Sequence, residues 1–254
     1  MKLTICYTVF NGLELLEQSI LNHYELVDNI LICYQTVSNT GNKSNEVLRF
    51  SKYLESKYSK VKSVEFIPDL SKRTKQNEID KHNLMLDYSR EIESTHYILS
   101  ACDHFYNKDQ FDYAKSIAIE KDFDVSLTWM NTYYKKTNWK LDPIESYCMP
   151  FISKLYPTTK YINDVKYTEL VDPSVKVNTS WNMHLFNKKE CMLHHYSMIR
   201  EDIENKFRNA AASIRWKPEQ IEKFIHEYEN AKPGDEISYF KNRKIIEIDN
   251  SFNI

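Results

Sequence analysis

Strand-like and helix-like segments alternate over the first hundred residues of this chain. Residues 3–10, 29–35, 61–69 and 95–102 are rich in β-branched and aromatic side chains, a composition that predicts β-strands. The segments between them, such as residues 45–58, carry apolar side chains at helical spacing. The resulting β-α-β-α-β-α-β order predicts an α/β fold with a doubly wound, mostly parallel, Rossmann-type sheet.

The first helix carries its own start signal. Asn11 precedes it and Glu14 follows three residues later, which is the spacing of a capping box. Leu13, Leu16 and Ile20 then repeat at helical spacing. We therefore expect Asn11 to cap a helix that buries this stripe.

The predicted sheet also predicts where a ligand binds. In doubly wound sheets, ligands lie beyond the carboxyl ends of the strands. Four loops leave the predicted strands at that edge, and we expect them to line one rim: Phe10–Asn11, Gln35–Ser38, Asp69–Arg73 and Cys102–Phe105.

The alternation lapses after residue 120. A strand-like segment at 123–134 leads into an aromatic stretch with several prolines, which continues to about residue 180. Residues 201–212 and 217–231 are amphipathic and predict helices, and 243–249 predicts a last strand. We expect one domain over residues 1–254, made of two halves (1–120 and 121–254) that share one core.

Composition excludes several classes of protein. The chain has 254 residues but only 3 glycines, so the glycine-rich phosphate loops of P-loop and dinucleotide-binding proteins are absent. Its 34 basic and 36 acidic residues give a net charge of −2, which provides no global attraction for nucleic acid. The 5 cysteines form no Cys-x-x-Cys pair, and no apolar run is long enough for a membrane span. These features predict a soluble, cytoplasmic protein with reduced thiols.

Two short motifs contain residues suited to binding charge. In "SACDHFY", Asp103 follows a predicted strand, where it either caps the next turn or holds a divalent cation. In "CMLHHYSMIREDIENK", adjacent histidines alternate across a strand, so at most one of them faces the rim. Arg200 follows in the same motif, where its guanidinium could bind a pyrophosphate through two hydrogen bonds.

From about residue 3 to about 215, the chain resembles family-2-type glycosyltransferases with the GT-A fold, of the phage and bacterial kind. Four segments carry the resemblance: "YTVFNGLELLEQSI", "KHN" at 81–83, "YILSACDHFY" and "LHHYSMIREDIENKFRN". The resemblance implies a UDP-linked nucleotide-sugar donor, with residues 1–120 as the nucleotide-sugar-binding half and 121–254 as the acceptor-side half. It also implies Mn²⁺ or Mg²⁺ as cofactor. If the protein is phage-encoded, it implies the host cytoplasm as its location.

The resemblance also implies roles for individual residues. Asp103 and His195 would bind the metal ion, and Asp103 is also a candidate catalytic residue. Residues implied to bind the nucleotide sugar are Thr8, Phe10, Asn11, Gln35, Lys81, Asn83, Cys102 and Arg200. The chain departs from the family pattern at Ala101, where the family has its first aspartate, and at His104, where it has glutamate. His104 either supplements the metal site or accompanies weaker dependence on metal.

These residues predict a glycosyltransferase that moves the donor sugar to a hydroxyl acceptor. In an inverting reaction a carboxylate deprotonates the acceptor, and Glu169 and Asp172 in "TELVDPS" are the candidates. Two alternatives stay open. One is a catalytically weak or dead nucleotide-binding protein with an assembly role, which Ala101 favours. The other is a nucleotidyltransferase, although the basic glycine-rich loop expected after its first strand is missing.

The acceptor is predicted to be a glycan, with hydroxylated bases of phage DNA as the alternative. Lys135, Lys136 and Lys140 alternate with Trp129, Tyr133, Tyr134 and Trp139. Such aromatic side chains stack equally well on sugars and on extruded bases. The lysines favour a polyanionic acceptor, unless they are only the solvated side of a hairpin.

Overall fold

A computed structural model of the chain describes residues 1–163, 165–172, 175–179, 181–209, 216–241, 243–250 and 252. Its first part follows the predicted alternation closely. The elements are β1 (Leu3–Val9), α1 (Leu13–His23), β2 (Asn29–Tyr34), α2 (Glu46–Lys57), β3 (Val61–Glu65), α3 (Thr74–Glu91) and β4 (His96–Ala101).

These four strands form the parallel part of the sheet. They lie in the order β3-β2-β1-β4, and every neighbouring pair is parallel. Ile5 and Tyr7 of β1 and Ile98 of β4 are fully buried, since helices cover this part of the sheet. The predicted α/β fold is therefore confirmed. The carboxyl ends of β1, β2 and β4 meet at one edge.

The predicted start of α1 is wrong in detail. The helix begins at Leu13, and its N-cap is Gly12 in a left-handed conformation (φ 78°) with no side-chain capping hydrogen bond. Gly12 turns the chain sharply, so Asn11 lies outside the first helical turn. The Asn11 carbonyl instead accepts a hydrogen bond from Cys102 Sγ at 3.5 Å. The stripe of the helix is as predicted, because Leu16 and Ile20 are fully buried.

A fourth helix was not predicted. The short strand β5 (His104–Tyr106) is followed by α4 (Lys108–Lys121). Asn107 caps this helix, because its side chain accepts hydrogen bonds from the backbone N–H groups of Asp109 and Gln110. Phe111 and Ala114 then bury one face of the helix against the core.

Replacing Asn107 with alanine is expected to lower the free energy of unfolding by about 1 kcal/mol, because two helix N–H groups lose their acceptor. Asn45→Ala is the matched control: Asn45 is the N-cap of α2 but makes no side-chain capping hydrogen bond. Urea denaturation of both variants measures the difference. Equal stability of the two variants would contradict the capping role of Asn107.

The second half of the chain extends the same sheet. It contains β6 (Val125–Tyr134), β7 (Trp139–Asp142), β8 (Met149–Lys154), β9 (Met183–Leu185), β10 (Met192–Met198), α5 (Ile203–Asn209), α6 (Pro218–Asn230), β11 (Glu236–Ile237) and β12 (Arg243–Glu247). β8 lies antiparallel between β4 and β6, so one hydrogen-bonded sheet crosses residue 120. Of the helix predicted at 201–212, residues 210–212 lie outside the described residues.

β10 brings the end of the chain back to the first half. It pairs in parallel with β6 and antiparallel with β5, and the second pairing places His195 opposite His104. The backbone N–H of Tyr196 also donates to the carbonyl of Asp103 at 2.8 Å. Residues that follow β10 therefore start beside the carboxyl end of β4.

No helix within the described part of the chain is both long enough and apolar enough to cross a membrane.

Candidate functional site

A cavity of about 280 Å³ opens at the carboxyl edge of β1, β2 and β4. Nine of the residues predicted to bind the nucleotide sugar or the metal line it: Thr8, Phe10, Asn11, Gln35, Lys81, Cys102, Asp103, His195 and Arg200. A second cavity, of about 550 Å³, adjoins it between α1, α2 and α5. The two cavities share lining residues, among them Arg200 and Lys206.

Asp103 is the most heavily contacted charge in the first cavity. It lies in the turn between β4 and β5, and its side chain is 4% exposed. One carboxylate oxygen, Oδ2, pairs with Arg200 Nη2 and lies 3.9 Å from Lys206 Nζ. The other oxygen, Oδ1, lies 3.5 Å from His195 Nε2 and has no hydrogen-bond partner among the described residues.

The surrounding charges keep Asp103 ionised. Burial alone would raise the pKa of its carboxyl group. The positive charge of Arg200 lowers the pKa, and His195 and Lys206 lower it further. Together they outweigh burial, so that the pKa of Asp103 lies well below its usual range. Asp103 is therefore a buried carboxylate at neutral pH, and most of its charge is balanced by side chains from the β10–α5 region.

Arg200 is held in place by several groups. Its Nη1 donates to the backbone carbonyls of Ile199 (2.8 Å) and Tyr196 (3.3 Å). Its Nε lies 3.7 Å from Glu14 Oε1 and is buried, with no hydrogen bond to any residue that the structure describes. A Cβ atom on Gly12 would lie 3.1 Å from the guanidinium carbon. The guanidinium thus fits closely between α1 and Asp103.

Lys81 and Gln35 form a second polar group in the same cavity. Lys81 Nζ donates to Gln35 Oε1 at 2.7 Å, and Gln35 Nε2 donates to Val37 O at 3.1 Å and to Asn39 Oδ1 at 3.0 Å. Burial lowers the pKa of Lys81. The Gln35 amide is therefore engaged at both ends by the protein. Lys81, which has two further N–H groups, has donors left for a ligand.

His104 lies behind Asp103. Its ring packs edge-on against that of His195, with the ring centres 4.8 Å apart. Burial lowers the pKa of His104 to about 3, so the ring is neutral, and its Nδ1 accepts a hydrogen bond from the Ala101 N–H at 3.3 Å. Asp103, His104 and His195 each offer one ligand atom, and these atoms lie within 4.8 Å of one another.

Three predicted residues do not line this cavity. Asn83 is two residues from Lys81, and residues at that spacing face different sides of a helix. Its side chain instead holds the backbone of Tyr161, with hydrogen bonds of 2.8 and 3.1 Å. Asn83 therefore anchors the backbone at Tyr161, and its contact with the nucleotide sugar stays a prediction. Glu169 and Asp172 flank Val171, which forms an isolated bridge with Cys148.

Comparison with known proteins identifies the fold. The structure superposes on S. aureus TarS residues 1–349 with a TM-score of 0.50 at 14% identity, covering 91% of this chain and 71% of that one. The complex of the same fragment with UDP gives a TM-score of 0.50 at 11% identity, with the same coverage. The chain has a GT-A-type fold. This confirms the fold expected from the resemblance.

The match leaves much of the related protein uncovered. Against the longer TarS structure the TM-score is 0.48 at 12% identity, and the match covers 91% of this chain but only 43% of that one. No family model matches the chain, and no curated protein matches it either.

Several residues of the cavity were not singled out in the sequence. Asn39, Glu78, Lys206 and Asn209 all line it. Glu78 precedes Lys81 by one helical turn, so the i, i+3 spacing on α3 was a usable signal. Asn209 Oδ1 accepts a hydrogen bond of 2.7 Å from Asn42 Nδ2. This bond ties α5 to the loop after β2, a contact with no local sequence signal.

Proposed function

We propose that the chain transfers a sugar from a UDP-linked donor to a hydroxyl group. One observation carries the proposal: Arg200 and Lys206 lie beside Asp103, and Lys81 lines the same cavity, at the carboxyl edge of a GT-A-type fold. Cationic side chains fixed at such an edge can bind a diphosphate. The related TarS fragment has been determined in complex with UDP, which supports UDP as the nucleotide.

In this reaction one carbon–oxygen bond is exchanged for another. The bond between the anomeric carbon and the diphosphate oxygen breaks, and that oxygen leaves with the electron pair. The acceptor oxygen forms the new bond to the same carbon, and its proton passes to a base. Negative charge develops on the leaving diphosphate, where Arg200 and Lys81 stabilise it.

Asp172 is the better placed of the two candidate bases. Glu78 lines the donor cavity. Burial raises the pKa of Glu78 most, and the negative charge of Asp172 raises it further. Glu169 instead adds to the effect of burial in raising the pKa of Cys148. Cys148 lines neither of the two cavities described above. We propose that Asp172 accepts the proton of the acceptor hydroxyl in an inverting transfer.

The residues present fit a divalent cation, and Mn²⁺ or Mg²⁺ stays a prediction. Asp103 Oδ1 is buried and accepts no hydrogen bond from the described part of the chain, and His195 Nε2 lies 3.5 Å from it. One carboxylate plus substrate phosphates is a usual setting for Mg²⁺, whereas imidazole ligands suit Mn²⁺ less well than zinc or iron. A cation bound there would neutralise charge on the diphosphate. Ala101 contributes no side-chain ligand.

We propose a glycan as the acceptor in preference to DNA. Of the three lysines in the aromatic segment, Lys135 donates to the carbonyls of Glu229 (2.5 Å) and Ala231 (3.5 Å). Lys136 lies over the ring of Trp139, 4.6 Å from its centre. Both ammonium groups therefore already contact groups of the protein, which leaves them fewer N–H donors for the phosphates of a polyanion.

The test is donor binding and turnover with purified protein. UDP is expected to bind in calorimetry. The enzyme is expected to hydrolyse at least one donor among UDP-glucose, UDP-galactose and UDP-N-acetylglucosamine slowly, which releases UDP. ADP-glucose is the matched control and should not be hydrolysed. Binding of UDP without turnover of any donor, even with added glycans, would favour the inert nucleotide-binding protein. Absence of UDP binding would refute the proposal.

A further inference from the structure

We infer that Lys206 is a second phosphate-binding residue, and that Lys206 and Arg200 together hold the donor diphosphate even when no divalent cation is bound. The inference rests on the proposed function, because it assumes that a nucleoside diphosphate enters the cavity. It adds a residue outside the predicted site and a specific consequence, namely UDP binding that persists after divalent cations are removed.

The first argument is the position of the Lys206 ammonium. Lys206 lies on α5 and lines both cavities, and its side chain is 23% exposed. The nearest carboxylate is Asp103, whose Oδ2 lies 3.9 Å from Nζ. That distance is too long for a hydrogen bond, and Nζ makes none with the described residues. An ammonium carries three donors, so Lys206 offers an anion several free hydrogen-bond donors.

The second argument is the balance of charge around Asp103. Its Oδ2 is already paired with Arg200 Nη2, so Lys206 shares a carboxylate that another cation holds more closely. Among the described residues, the carboxylates that line this cavity are Glu78 and Asp103. Glu14, which lines the adjoining cavity, lies 3.7 Å from Arg200 Nε and adds to the charge that balances Arg200. Position 101 is alanine and adds no carboxylate. Lys206 thus has no hydrogen-bonded carboxylate of its own, and a partly buried cation in that position indicates an anionic ligand.

The third argument is how α5 is held. Arg200 joins the start of this region to Asp103, and Asn209 joins its far end to Asn42 of the loop after β2. Lys206 lies between these two attachments and faces the same cavity. A ligand phosphate between Asp103 and α5 would therefore meet both cations. Lys206 can turn from Asp103 to the phosphate without movement of the backbone.

The experiment is calorimetric titration of UDP in EDTA, repeated with Mn²⁺, on the full chain. Lys206→Met is expected to weaken UDP binding in EDTA by about 10-fold to 100-fold, the usual effect of losing a hydrogen bond to a charged group. Lys206→Arg is expected to keep most of the affinity. Lys43→Met is the matched control: Lys43 lines only the adjoining cavity, away from Asp103, so its UDP affinity should equal that of the wild type.

Pyrophosphate serves as a second probe, since it has the diphosphate of UDP but lacks the uridine. Lys206→Met should weaken pyrophosphate and UDP by the same factor, whereas a general loosening of the fold would also lower the melting temperature. Lys206→Gln, which keeps a polar side chain, is the substitute if the Met variant does not fold.

Three outcomes would overturn the inference. One is a Lys206→Met variant that binds UDP as well as Lys43→Met does. Another is wild-type protein that binds UDP with Mn²⁺ but not in EDTA. The third is loss of UDP affinity with pyrophosphate affinity unchanged. Failure of the wild type to bind UDP under both conditions is a different result, because it refutes the proposed function itself.

Discussion

Replacing Arg200 with methionine is expected to lower the free energy of unfolding by about 3–5 kcal/mol, because it leaves the Asp103 carboxylate buried without its closest counter-charge. The two side chains are 3% and 4% exposed, so water cannot replace the lost guanidinium. Lys206, at 3.9 Å from the same oxygen, compensates only in part. Urea denaturation at pH 7 measures the change.

The pH dependence of this effect has a definite sign. The pKa of Asp103 is well below its usual range in the folded protein, because Arg200, His195 and Lys206 together outweigh the effect of burial. A carboxyl group with a depressed folded-state pKa stabilises the fold above its unfolded pKa, about 3.9, and loses that contribution as the pH falls further. The difference between wild type and Arg200→Met should therefore shrink below pH 4.

Two variants make the test specific. Arg208→Met is the matched control, since Arg208 pairs with Glu204 at the surface, and such pairs contribute only about 0.3–0.5 kcal/mol. The double variant Asp103→Asn with Arg200→Met should be more stable than Arg200→Met alone, because it removes the uncompensated charge. A double variant that is less stable by the sum of the two single effects would contradict the buried ion pair.

The first half of the fold was predictable because its signals are local. β1, β2 and β4 are short apolar runs, and helices with regular apolar spacing separate them. The parallel order then fixes which loops meet at the carboxyl edge. For that reason Phe10, Gln35 and Asp103, which are far apart in sequence, could be expected at one rim, and the structure places them in one cavity.

The rest of the site depends on contacts that have no local signal. β8 enters the sheet antiparallel between β4 and β6, and nothing in its sequence specifies those neighbours. The approach of α5 to Asp103 follows from the pairing of β10 with β5, so Lys206 was missed. Asn83 does not line the cavity although Lys81 does, because the first and last residues of "KHN" face different sides of α3.

Replacing Gly12 with alanine is the second large effect expected. Gly12 has φ +78°, and an added Cβ would lie 2.7 Å from Cys102 Sγ and 3.1 Å from the Arg200 guanidinium. Left-handed backbone costs a residue with a Cβ about 1–2 kcal/mol, and forcing extra volume into a packed site costs about 1–3 kcal/mol more. Displacement of Arg200 from Asp103 should also weaken UDP binding by about tenfold, as loss of a charged hydrogen bond does.

Gly234→Ala separates the two parts of this effect. Gly234 has a similar backbone angle, φ +95°, but a Cβ there would have no atom of the described residues within 4 Å. That variant should lose only the backbone contribution, about 1–2 kcal/mol, and should bind UDP as the wild type does. If Gly12→Ala proves no less stable than Gly234→Ala and binds UDP equally well, Arg200 tolerates displacement by a methyl group. The close fit of its guanidinium between α1 and Asp103 would then have no part in holding the donor.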